Sequence, residues 1–194
     1  AHLICCSEST RTDLERFFPA TKGRTSVVYS GVDRDVFFRI RGAELASAQD
    51  RVSDLGIKKP FLLFVGTIEP RKNLSNILKA FAELKKSGRY QGVLVVSGMK
   101  GWMTENLREE LSRMKIERDV IFPGYLTDAE LRYLYNLTDA FLYPSFYEGF
   151  GFPVVEAMAC GASVVTSNVS SCGEVAGDGA LTVDPSSPEA IVDA

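Results

Sequence analysis

Short, wholly apolar runs alternate with amphipathic segments along most of the chain. Phe61-Leu-Leu-Phe-Val65 is apolar at every position, the pattern of a strand covered on both faces of a parallel sheet. Val93 to Ser97, Ala140 to Tyr143 and Ala162 to Thr166 read as further strands, and Asp119 to Phe122 as one that turns at Pro123-Gly124. Between them, Leu74, Ile77, Leu78, Phe81 and Leu84 fall at helical spacing within Asn73 to Ser87, one stripe to lay on a sheet. Helices are predicted over Thr104 to Lys115, from the capping box Thr127-x-x-Glu130 to about Leu137, and over Phe152 to Cys160. A short helix near Glu174, a strand at Ala180 to Val183 and a helix capped by Ser187 with Pro188 in its first turn follow.

The first sixty residues are less regular. Leu3 to Cys6 and Ser26 to Tyr29 read as strands around a helix capped by Ser7 or Ser9 and reaching about Phe18. A charged, irregular stretch from Asp33 to about Ala43 reads as a boundary, followed by a weak helix near Glu44 to Leu55. Repeated strand–helix units predict an α/β fold, a parallel sheet with helices on both faces. Ligands of such sheets sit beyond the carboxyl ends of the strands, so the loops after Val65, Ser97, Phe122 and Tyr143 are where chemistry is expected.

Composition narrows the classes. With 45% apolar and 24% charged residues the 194-residue chain is ordinary globular protein, and a net charge of −3 provides no basic footprint for nucleic acid or anionic lipid. No apolar run approaches the length of a membrane span. Cys5, Cys6, Cys160 and Cys172 make no C-x-x-C pair, and reduced, buried thiols in the cytoplasm are expected. The absent initiator Met and the helix beginning at Pro188 read as the edges of a piece cut from a longer chain.

Two segments carry candidate chemistry. In Gly66-Thr-Ile-Glu-Pro-Arg-Lys-Asn73, the glycine permits a sharp turn at a strand end, and Arg71 and Lys72 precede a helix. Two cations beside a positive helix end suit a diphosphate; the alternative is a solvated charge pair. No P-loop or dinucleotide glycine fingerprint is present. In the segment from Tyr143 to Gly161, Glu148 and Glu156 stand eight apart, with Gly149, Gly151 and Pro153 forbidding one continuous helix between them. Glu148 is placed in a loop, where it can accept hydrogen bonds from sugar hydroxyls. Glu156 is placed early in a helix, where it can take a ribose diol. Either carboxylate could instead serve only to satisfy a helix dipole.

The combined motifs strongly resemble the retaining glycosyltransferases of family 4, and among them those that transfer mannose to polysaccharide or lipopolysaccharide. The resemblance rests on Tyr143-Pro-Ser, Glu148-x₇-Glu156, Glu-Ala-Met-Ala-Cys-Gly161, Val65-Gly-Thr-Ile-Glu-Pro-Arg-Lys-Asn-Leu74 and Phe122-Pro-Gly-Tyr-Leu126. Thr166-Ser-Asn-Val-Ser-Ser and the later Glu-Val-Ala-Gly-Asp-Gly-Ala180 extend it over essentially the whole chain. It implies the GT-B fold, two Rossmann-like domains facing across a cleft. Residues 1–38 would then be the tail of the acceptor domain and hinge, and 39–194 the nucleotide-sugar donor domain without its last helices.

Carried over by position, the resemblance implies that Arg71 and Lys72, with Gly66 and Thr67, hold the donor diphosphate. Glu148 becomes the catalytic candidate at the sugar ring, helped by the backbone N–H groups of Phe150 and Gly151. Glu156 would take the ribose, and Tyr125 and Leu126 the base. Many family members carry Arg directly after the strand-end glycine, where this chain has Thr67. The reaction implied is hexose transfer, with mannose from GDP-mannose favoured, to a glycan or lipid-linked acceptor with retention of configuration. It needs no metal and no cofactor besides the donor, and Asp33-x-Asp35 reads as a solvated turn. A UDP-sugar donor is the alternative, and a non-catalytic nucleotide-sugar-binding module a third reading. The parent protein would lie in the cytoplasm, with peripheral association at the inner face of the membrane as the alternative.

Overall fold

A computed structural model describes residues 1–58, 60–98 and 104–194, with residues 104–106 in backbone only. Two parallel sheets form. The smaller pairs β1 (Leu3–Cys5) with β2 (Thr25–Val27) around α1 (Glu8–Phe17), whose N-cap is Ser7. The larger is six-stranded, built from β3 (Phe61–Val65), β4 (Val93–Ser97), β5 (Val120–Gly124), β6 (Ala140–Tyr143), β7 (Val164–Ser167) and β8 (Leu181–Val183). Its order is β5-β4-β3-β6-β7-β8, with every neighbouring pair parallel.

That order fixes where a ligand fits. The chain steps outward from β3 through β4 to β5, then returns to β3's other side and steps outward again through β6, β7 and β8. The direction reverses between β3 and β6, and a crevice opens there beyond the carboxyl ends of the strands. The loops flanking it are those after Val65 and after Tyr143.

Both faces of this sheet are covered, as the uninterrupted apolar runs demand. Phe61, Leu63, Val65, Phe141, Tyr143 and Val164 face α2 (Ala43–Asp54), α5 (Asp128–Leu137) and α6 (Phe152–Ala159) in one core. Leu62, Phe64, Leu94, Val96, Leu142 and Val165 face α3 (Leu74–Lys86), α4 (Thr104–Met114) and α8 (Pro188–Asp193) in the other. The alternation of odd and even positions across the sheet is the period of two that strands impose. The capping box of Thr127 and Glu130 and the Ser187 cap form as expected.

Three expectations need correction. Asp119 to Phe122 does not turn at Pro123; the strand runs through it to Gly124, because β5 is an edge strand and a proline's missing N–H costs nothing on an edge. The stretch after Asp33 has no regular structure, yet it is no loose boundary. Phe37 and Ile40 are buried in the larger unit's core, where Asn136 receives Ile40 N–H at 2.9 Å and donates to Phe38 O at 2.9 Å. The guanidinium of Arg132 adds a bond to Val36 O and lies 4.4 Å from the Phe38 ring centroid, so the larger unit's packing reaches back to Val36. All four thiols are free, but Cys6 is only half-buried.

Candidate functional site

Lys72 and Glu148 meet at the switch point. Pro70–Lys72 is a single 3₁₀ turn that brings the chain from β3 to α3, and it tucks Lys72 under the loop that follows β6. Lys72 is 8% exposed and Glu148 7%. Lys72 Nζ lies 2.6 Å from Glu148 Oε1, and Arg71 Nη1 lies 2.8 Å from Oε2 of the same carboxylate. Tyr143, fully buried at the end of β6, accepts a hydrogen bond from Lys72 and donates its hydroxyl to Glu148 Oε1 at 3.0 Å. Burial opposes ionisation of Glu148. The hydrogen bond from Lys72, with the charges of Lys72 and Arg71, outweighs it and holds the carboxyl below its ordinary value.

The solvated-pair alternative therefore fails for Lys72 and holds only for Arg71, which is exposed and splits its guanidinium between Glu148 and Glu69. Nor are the two cations free, as a reading of the helix start alone implies: both are tied to Glu148. Asn73 closes the turn with φ of 60°, and its buried amide donates to Pro144 O at 2.8 Å and Pro185 O at 2.7 Å, pinning the turn to the loops after β6 and β8.

The strand ends beside this cluster are packed backbone to backbone. Gly66 N–H donates to Ser97 O at 2.9 Å and Gly98 N–H to Gly124 O at 3.1 Å. A Cβ on Gly98 would lie 2.1 Å from Gly66 O, so only glycine allows the loops after β3 and β4 to close on each other. Thr67 lies half-buried beside Gly66. Beyond Gly98 the loop after Ser97 lies outside the described residues.

Hydroxyls hold the loop that carries Glu148. Ser170, at the start of α7 (Ser170–Ala176), accepts Glu148 N–H at 2.9 Å and donates to Glu148 O at 2.7 Å. The buried Ser171 Oγ lies 2.8 Å from Glu148 O and 3.0 Å from Phe150 O. Gly149 O receives Ser7 Oγ at 2.7 Å, Thr10 Oγ1 at 3.0 Å and Cys6 Sγ at 3.1 Å, all from the smaller unit. Tyr147 donates to Asp13 at 2.7 Å, and the Glu174 carboxylate accepts the N–H groups of Glu8 and Ser9. Gly149, Phe150 and Gly151 donate no backbone hydrogen bond among the described residues.

Glu156 lies in the middle of α6, a full turn beyond Gly151, so the helix-dipole alternative does not account for it. Its carboxylate accepts the Tyr135 hydroxyl at 3.1 Å. Burial raises its pKa, the opposite of Glu148. Of the two residues expected at the base, Tyr125 is 77% exposed, whereas Leu126 is buried in the core with Val154 and Ala157. Asp33 accepts Asp35 N–H at 2.9 Å within its own turn. Among the described residues no set of metal-ligand side chains gathers, and no helix is long and apolar enough to cross a membrane.

Sequence reasoning foresaw Arg71, Lys72 and Glu148 separately and missed Tyr143, Ser7, Thr10 and Ser171 as parts of the site. Serine and threonine in loops carry no periodic signal, and the only hint was the Ser-Ser of the motif after Thr166.

Comparison with known proteins agrees with this architecture. Residues 47–194 match the family described as "Glycosyl transferases group 1". The chain belongs to this glycosyltransferase family. It is 44% identical over 131 residues to the O-antigen chain mannosyltransferase B of Escherichia coli, covering 68% of this chain and 34% of that protein. It is 33% identical over 180 residues to the serotype-specific mannosyltransferase WbdA of Escherichia coli, covering 90% of this chain and 22% of that one. The chain thus spans about a third or less of the length of these relatives. The crystal structure of Anabaena Alr3699/HepE in complex with UDP-glucose superposes with a TM-score of 0.85 at 21% identity, covering 99% of this chain and 52% of that one. The fold is that of the GT-B glycosyltransferases.

Proposed function

We propose that residues 39–194 bind a nucleotide-diphosphate sugar at the β3–β6 switch point, as the donor unit of a hexosyltransferase that uses GDP-mannose. One observation carries the reading. A buried carboxylate, Glu148, is held ionised by Lys72 and Arg71 at the one place in this sheet where the strand order opens a crevice. Ion pairs inside a fold are expensive to desolvate, and well-packed apolar side chains often stabilise a buried site as well. Of these charges Arg71 is exposed and can turn to a ligand of opposite sign while Lys72 stays on Glu148.

On this reading the diphosphate lies against Arg71, Lys72 and the backbone at Gly66 and Thr67. Glu148 and the N–H groups of Phe150 and Gly151 face the sugar hydroxyls. Glu156 takes the ribose, and Tyr125 lies beside the base. The anomeric carbon–oxygen bond breaks with its electron pair leaving on the diphosphate, while the sugar becomes oxocarbenium-like and a hydroxyl of a glycan or lipid-linked acceptor attacks, its proton passing to the departing phosphate oxygen. Fixed cations at the departing oxygen lower that barrier by roughly 2–4 kcal/mol for a good partner in a dry site. The family resemblance adds retention of configuration and places the acceptor on a preceding domain, of which residues 1–38 would be the tail.

Mannose is favoured because the relatives at 44% and 33% identity are named mannosyltransferases. A UDP-hexose is the second reading, supported by the UDP-glucose complex of the Anabaena protein. Calorimetric titration of the chain with GDP-mannose, GDP, UDP-glucose and UDP tests both. Tighter binding of the guanosine pair is expected. Tighter binding of the uridine pair transfers the reading to UDP-sugars, and binding of none of the four overturns it.

A further inference from the structure

We propose that Ser7, Thr10 and Ser171 are positioning residues for the sugar donor, because their hydroxyls set the two peptide planes on either side of Phe150. The proposal rests on the donor-site reading above and goes further, by assigning part of the site to the smaller unit.

In a trans peptide the C=O and the following N–H point in opposite directions. Whatever captures a carbonyl therefore aims the next amide. Gly149 O is drawn toward α1 by Ser7 Oγ at 2.7 Å and Thr10 Oγ1 at 3.0 Å, with the Cys6 thiol at 3.1 Å, so Phe150 N–H is directed away from α1. Phe150 O faces α7, where Ser171 Oγ shares its one proton between Glu148 O at 2.8 Å and Phe150 O at 3.0 Å, so Gly151 N–H is directed away from α7. Neither N–H has an acceptor among the described residues. These are the two amides assigned to the sugar hydroxyls.

The clamp answers a specific weakness. A peptide flanked by Gly149 rotates at little cost, since glycine tolerates conformations other residues avoid. Rotated, it would turn Gly149 O toward the ligand and take away the Phe150 N–H donor that faces it. A carbonyl has two lone pairs, and here three donors converge on one oxygen, more than satisfaction of that oxygen alone requires. Ser7 is fully buried, and its oxygen simultaneously accepts Thr10 N–H at 3.0 Å as the cap of α1. Glu174 fastens the same helix end through Glu8 and Ser9 N–H at 2.6 and 3.0 Å. The start of α1 is thereby rigid on the loop it orients.

Titration of the 194-residue chain separates this role from a structural one. For Ser171→Ala and for the double variant Ser7→Ala/Thr10→Val, affinity for GDP-mannose is expected to fall about tenfold, the worth of roughly one hydrogen bond in a desolvated site, with GDP affinity changing less than twofold; Ser7→Ala or Thr10→Val alone, each leaving two donors on Gly149 O, should cost less. Ser7→Thr, which keeps the hydroxyl, should restore GDP-mannose binding. Thr10→Val leaves the Ser7 cap in place and separates carbonyl capture from loss of the cap. UDP-glucose and UDP form the parallel arm should the uridine pair bind more tightly. Equal losses for sugar nucleotide and nucleoside diphosphate would mean general loosening of the fold and overturn the proposal, as would no loss for either. Failure of the unaltered chain to bind any of the four ligands overturns the donor-site reading itself, before any variant is compared.

Discussion

Lys72 and Glu148 stand 76 residues apart in the chain and 2.6 Å apart in space, joined across the point where the sheet reverses its winding. Both are nearly excluded from solvent, so each is the other's main compensation for lost hydration. Removing one leaves the other charged and buried. Lys72→Met is therefore expected to destabilise the chain by about 3–5 kcal/mol, as measured by urea unfolding, and Glu148→Gln by a comparable amount. The double variant should cost clearly less than the sum, because it leaves no orphaned charge. Strict additivity would mean the two side chains do not sense each other.

The two glutamates of the motif should respond to pH in opposite senses. Glu148 is held below its ordinary value of 4.5, so the stability it contributes is present above that value and is lost as pH falls through its lower folded-state value. Glu156 is raised above 4.5 chiefly by burial. Its contribution is present below 4.5 and is lost as pH rises through the folded-state value. Glu156→Gln keeps an acceptor for the Tyr135 hydroxyl and removes the buried charge, so its melting temperature at pH 7 should equal or exceed that of the unaltered chain, with the advantage disappearing at pH 4. A lower melting temperature for Glu156→Gln at both pH values would contradict the burial account.

Gly98→Ala tests the close packing of the strand-end loops. The added methyl would sit 2.1 Å from Gly66 O, and the backbone there has φ of 146°. The nearest atoms are all backbone of Gly66, with no flexible side chain to move aside, so a loss of more than about 2 kcal/mol is expected by thermal or urea unfolding. Gly23→Ala, whose Cβ meets nothing within 4 Å, bears only the strain of a positive φ and should cost less.

Much of this arrangement was legible in the sequence because it obeys local rules. Phe61 to Val65, Val93 to Ser97 and Ala140 to Tyr143 emerge with the expected ends, since uninterrupted apolar runs beside Pro60, Gly98 and Pro144 admit only strands buried on both faces. What local rules cannot express is partnership at a distance. Ser7 lies 142 residues from the carbonyl it captures, at the start of a helix in the smaller unit, and nothing near Ser7 in sequence distinguishes it from an ordinary helix cap. The burial of Lys72 is hidden for the same reason, because the loop after β6 imposes it and not the residue's own neighbours. Leu126 shows the converse, a loop residue whose side chain lies in the core.

Glu69 offers a test of the diphosphate assignment that leaves the buried cluster intact. Its carboxylate lies 2.6 Å from Arg71 Nη2, the nitrogen that Glu148 leaves free, so a phosphate reaching that nitrogen would have to displace it. An exposed pair of this kind is worth roughly 0.2–1 kcal/mol. Glu69→Gln is therefore expected to tighten GDP binding by about two- to fivefold at low salt, since the ligand no longer competes with a fixed anion for Arg71. The gain should shrink as ionic strength rises, because the competing pair is screened by salt. Arg71→Ala should weaken GDP binding and abolish the effect of Glu69→Gln in the double variant. A Glu69→Gln chain that bound GDP more weakly than the unaltered chain would place the diphosphate away from Arg71.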